Sequence, residues 1–166
     1  MLVPTSALPA FTVLHVAISL VAIASGFVVL FGMIAGKRLE ARTKFFLITT
    51  VLTSVTGFFF PVQHFMPSHA VGIISLVVLT LAIYARYGRK LASGWRKTYV
   101  ITAVIALYLN VFVLIVQSFM KIPTLKQLAP TQTEPPFKLT QLVVLVLFVV
   151  LGILAAIKFR EEPIRT

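Results

Sequence analysis

The side chains best suited to chemistry in this chain are its three histidines, His15, His64 and His69. Imidazole is a common nitrogen ligand for haem iron, copper and zinc, and it both donates and accepts hydrogen bonds, as a quinone site requires. The amides Asn110, Gln117 and Gln141 are the natural polar companions, and Asn110 is the only asparagine. Three converging imidazoles would hold copper or zinc, whereas two at similar depth would hold a b-type haem. Other chemistries are excluded by what is missing. The chain has no cysteine and no aspartate, so disulfides, thiolate metal sites, cysteine nucleophiles and Ser/His/Asp sets cannot form. No nucleotide fingerprint is present. No catalytic residues are assigned, and the expectation leans away from an enzyme.

The elements that would carry these residues are membrane helices. Hydrophobic residues make up 59% of the 166 positions and charged residues 11%, with a mean hydropathy of +1.03. A soluble domain has about 25% charged residues, so a core alone does not account for the apolar excess. Five apolar stretches, at about 10–35, 44–64, 68–86, 97–119 and 139–159, are close to the roughly 20 residues a spanning helix needs. The fold class expected is all-α: a single domain over residues 1–166, a bundle of five transmembrane helices. The Pro-rich segment 120–138 is its longest outer loop, where Pro123, Pro130, Pro135 and Pro136 favour an extended path over a helix.

Charge sets the expected orientation. Twelve of the fifteen Lys and Arg residues fall in three clusters: Lys37/Arg38/Arg42/Lys44, Arg86/Arg89/Lys90/Arg96/Lys97 and Lys158/Arg160/Arg165. Cytoplasmic loops retain positive charge, which places the N-terminus outside and the C-terminus in the cytoplasm. No Lys or Arg precedes the first apolar run, so it reads as a retained span rather than a signal peptide. Spans two and three could instead form a re-entrant pair around the Pro61–Pro67 turn. Full crossings put Arg42/Lys44 and Arg86/Arg89 on one side, which the charge rule prefers. The net charge of +11 sits at helix ends and not along one face, so it reads as topology and contact with anionic lipid, not nucleic acid.

Small and polar residues mark the helix faces that meet. His15, Ser19, Ala22 and Gly26 share one face of the first span, and Gly32 and Gly36 form a small-xxx-small pair near its inner end. Thr50, Thr53 and Gly57 do the same on the second, with a continuation towards His64. His69 and Gly72 share a face of the third, Ala103, Ala106, Asn110 and Gln117 of the fourth, and Gln141, Leu145, Phe148 and Gly152 of the fifth. With the expected topology, all three histidines, Gln117, Gln141 and Glu134 collect at the outer side. That layout describes a polar pocket opening outward beneath the Pro-rich loop. A plainer reading stands beside it. His64 and His69 would hydrogen-bond the tight turn, His15 would bond across helices, and the second-span threonines would bond their own backbone.

The segment from Tyr108-Leu109-Asn110 through Gln117 to Leu128-Ala129-Pro130-Thr131-Gln132 and Glu134-Pro135-Pro136-Phe137, with the histidine near the outer end of the first span, resembles a group of small bacterial inner-membrane proteins. The resemblance covers nearly the whole chain. It implies the bacterial cytoplasmic membrane as location and brings no activity with it. In helix number and histidine placement alone, the chain is similar to small b-type cytochrome-like and copper-handling membrane proteins, an architectural analogy. The expected cofactors are haem b, copper or zinc, or a quinone. The expected partners are the lipid bilayer and a protein partner or a second copy of the chain. The rival expectations are a ligand-free structural or assembly subunit and an oligomeric pore or small-solute carrier.

Overall fold

A computed structural model describes residues 4–60 and 67–159. His64, Pro61 and the C-terminal basic residues Arg160 and Arg165 lie outside them. The described residues are helical with no strand, in the order α1 (Leu8–Ile34), α2 (Glu40–Gly57), α3 (Pro67–Ile83), α4 (Trp95–Lys121), the short α5 (Pro123–Leu128) and α6 (Pro135–Lys158). Four helices are long and apolar enough to cross a membrane: Leu8–Ile34, His69–Gly88, Trp95–Lys121 and Pro135–Lys158. α2 differs from the second expected span. It begins at Glu40 and ends at Gly57, so Glu40, Arg42 and Lys44 fall within its first two turns.

The five long helices run up and down and close into a ring. Each packs on the next in the chain, α6 returns to α1, and α4 also packs on α1 across the middle. α4 is the most buried of the four apolar helices and α6 the least. Tyr99, Val100, Ala103, Ala106 and Leu107 of α4 are almost wholly buried against Phe46, Leu30 and Met33. Gly26 lies where α1 meets α2 and α4, and a Cβ there would stand 2.5 Å from a Leu107 methyl and 2.8 Å from the Phe46 ring. Gly152 meets Val104 in the same way at 3.3 Å.

The connections explain two departures from expectation. Gly36 adopts φ +71°, Lys37 N–H donates to Gly32 O at 2.8 Å, and Gly36 N–H donates to Met33 O at 3.0 Å. These are the paired bonds of a left-handed helix cap, which satisfy carbonyls the helix would leave open. Gly36 therefore ends α1, and the Gly32 face is covered by Leu39, not by another helix. The Pro-rich loop is also more helical than expected, because proline fits the first turn of a helix, where its missing N–H has no partner to lose. Pro123 opens α5, and Pro135 and Pro136 open α6. Glu134 precedes them, its carboxylate accepting from Thr131 N–H (3.2 Å), Thr131 Oγ1 (2.8 Å) and Thr133 N–H (3.0 Å). Desolvation pushes that carboxyl up, and the hydrogen bonds from Thr131 and Thr133 together outweigh it, holding it below the usual glutamate range.

Candidate functional site

The ring has two unlike ends. At the end where α2 meets α3, His15 of α1 is half-buried, with Nδ1 2.8 Å from Thr56 Oγ1 of α2. Thr56 Oγ1 is also 2.7 Å from Leu52 O, the usual destination of a helical threonine hydrogen. With its one hydrogen committed there, the Thr56 oxygen accepts from His15 Nδ1–H, and Nε2 carries the lone pair. The ring meets Phe60 edge-on at 5.1 Å, and Phe11 packs on Phe60 at 5.1 Å. Gly57 leaves room beside it: a Cβ there would lie 3.8 Å from His15 Cε1.

His69, in the first turn of α3, lies 5.9 Å from the Phe58 ring. Phe58 in turn covers Gly72, where a Cβ would be 2.9 Å from the ring. Thr56 and Phe58 are two residues apart, about 200° around a helix. Both described histidines are thus set against the last turn of α2, on opposite sides of it, and each has its own aromatic neighbour. Among the described residues no three His or Glu side chains come together as a metal cluster.

The amides are distributed differently. Asn110 is half-buried on α4, and its Nδ2 is enclosed without a hydrogen-bond partner. Gln141 Nε2 donates to Phe112 O at 3.3 Å, joining α6 to α4, while its Oε1 is enclosed and unbonded. Gln117 is exposed. On the α6 stripe Phe148 is buried and Gly152 packed, but Leu145 faces outward. Gln132, not among the candidates, stands at φ +60° and donates from Nε2 to Val116 O at 3.1 Å, pinning the loop to α4.

The opposite end holds a buried cation from the second basic cluster. Arg86 sits in a π-helical turn, Tyr84–Gly88, with its side chain 3% exposed and Nη2 2.8 Å from Glu40 Oε2. Its guanidinium lies 5.0 Å from the Tyr99 ring; Tyr99 lies 6.1 Å from Phe159, and Arg38 covers the other side of Phe159 at 6.0 Å.

Compared with known proteins, the chain matches no family model, no curated protein sequence and no solved structure. The site must speak for itself. Chemically, the α2–α3 end offers an oriented imidazole in aromatic surroundings, and the opposite end offers a buried guanidinium paired with a largely exposed carboxylate.

Proposed function

We propose that this is a multi-pass protein of a bacterial cytoplasmic membrane that binds a ligand at its outer side through His15, in a redox or accessory role and without catalysis of its own. In this reading α2 is a fifth crossing, the N-terminus is outside, and the basic end faces the cytoplasm. The three basic clusters support that orientation. The ligand is a metal ion, haem iron or a quinone; His69 stands on the opposite side of the last turn of α2, and His64 lies outside the described residues.

One observation carries the proposal: the His15–Thr56 hydrogen bond. Histidines that ligate a metal almost always donate their other ring N–H to an oxygen, which fixes the tautomer and the ring orientation. With its proton on Nδ1, His15 has that arrangement, with Thr56 as the oxygen. The test is an absorption spectrum of the full chain in mild detergent, before and after dithionite, with elemental analysis of the same sample. A Soret band, a quinone difference spectrum or about one copper or zinc per chain is expected, lost in His15→Ala. Thr56→Val should retain the ligand about 10–100-fold more weakly. A featureless, metal-free sample overturns the proposal.

A second reading is favoured by a different observation. The bonds His15–Thr56, Ser54–Ser75 (3.0 Å), Gln141–Phe112 and Gln132–Val116 each tie one element to another. In lipid, such bonds serve as packing glue. A ligand-free structural or assembly subunit, paired with a protein partner or with itself, would need nothing more. Stoichiometric co-purification of a partner with a featureless spectrum would support it.

A further inference from the structure

At the basic end a groove runs down the outer surface between α1 and α2. It has two adjoining parts, of about 560 Å³ and about 480 Å³, which share Val28, Ala41 and Arg42. The upper part is rimmed by Lys37 and Arg42 and floored by Phe31 and the Gly32 backbone; the lower continues past Phe45 to Ser25. From Ala35 to Ser25 the groove follows ten residues of α1, about 15 Å of helix. Its depth is apolar: Val28, Phe31 and Phe45 are 41%, 55% and 51% exposed.

The rim is more positive than its composition suggests. Glu40 also borders the upper part, and its side chain is 69% exposed, but its carboxylate is 2.8 Å from the buried Arg86 guanidinium. Arg86 therefore neutralises the one acid that would oppose Lys37 and Arg42. The remaining surface is a cationic lip over an apolar trough directed along two helices, complementary to an anionic headgroup with an acyl chain attached.

We propose that this groove is a binding site for one anionic phospholipid, its phosphate at Lys37 and Arg42 and an acyl chain along Val28, Phe31 and Phe45. The site rests on the apolar helices lying in a bilayer, and it is independent of any ligand at His15. Arg86 acts through Glu40, as a positioning residue that sets the charge of the rim.

Native mass spectrometry of the full chain in detergent, titrated with phosphatidylglycerol and with phosphatidylcholine of the same acyl chains, tests this. At about 1 kcal/mol per cation near the headgroup, two cations give about a 30-fold preference for phosphatidylglycerol. Lys37→Gln/Arg42→Gln should bring the two lipids near parity, whereas Lys90→Gln/Lys97→Gln, the same charge change at the same end, should leave the preference intact. Val28→Trp, which fills the shared part of the groove from an exposed position, should weaken phosphatidylglycerol without touching the rim. Equal binding of the two lipids by the wild type overturns the proposal. So does an equal loss in both double variants, which would make the effect one of overall charge. His15→Ala should bind lipid like the wild type, which separates this site from the ligand reading.

Discussion

The two ends of the bundle solve the problem of polar groups in an apolar medium in opposite ways. At the α2–α3 end the helices are joined by neutral pairs: His15 with Thr56, Ser54 with Ser75, Gln141 with Phe112 O. Each bond joins two helices and leaves the others untouched. At the basic end one stack of Arg38, Phe159, Tyr99 and Arg86, closed by Glu40, joins the α1–α2 connection, α6, α4 and the turn after α3. Charge makes this end the more brittle. A neutral bond lost in lipid costs about what it gave, whereas a buried cation deprived of its partner keeps the full cost of its desolvation.

That asymmetry can be broken by mutation. Glu40→Ala should have the largest effect, about 1.5–3 kcal/mol in thermal unfolding in detergent, because it removes the carboxylate, itself largely exposed, that pairs with the buried Arg86. Adding Arg86→Met to it should recover part of the loss, since no unpaired charge then remains. If the double variant is instead the less stable, the ion pair is not what closes this end. Thr56→Val, at the other end, should cost only about 0.6–1 kcal/mol, the worth of one interhelical bond in a membrane protein. The smallest effect belongs to Glu134, whose carboxylate holds the loop before α6. Its carboxyl is held below its ordinary value when folded, so its contribution is present above the unfolded value of about 4.3 and disappears as pH falls through the lower folded value. The stability difference between wild type and Glu134→Gln should therefore be visible at pH 7 and shrink steadily below about pH 4.3; a difference that grows on acidification would contradict the hydrogen bonds from Thr131 and Thr133.

What the sequence discloses about such a molecule is mostly what is local. Four of the five long helices follow from uninterrupted apolar runs, and the His15, Ser19, Ala22, Gly26 face does turn into the bundle, because helical phase alone determines it. Phase gives direction but not how far a neighbouring helix extends, and so Gln117, on the same stripe as the half-buried Asn110, ends exposed. The Gly32/Gly36 spacing is shared by helix-packing pairs and helix caps, and nothing nearby distinguishes them. The prolines near residues 123 and 135 read as helix breakers when they are helix starters, since the difference is one of position within the first turn. Arg86 is the clearest case: its burial depends on Glu40, 46 residues earlier, and a run of basic residues around it resembles any loop. His15 was legible as a residue of interest, but its partner Thr56, 41 residues away, was one of several threonines.

The cap at Gly36 has a consequence in time. Every bond that closes it lies between Phe31 and Lys37, and the side chain that covers it, Leu39, follows two residues later. The corner therefore needs nothing from the later two thirds of the chain. During synthesis α1 and α2 can pair as a hairpin as soon as both have emerged, presenting Phe46 and Leu30 as a ready face on which α4 later settles. The helix that becomes the centre of the bundle arrives fourth, to a seat already built.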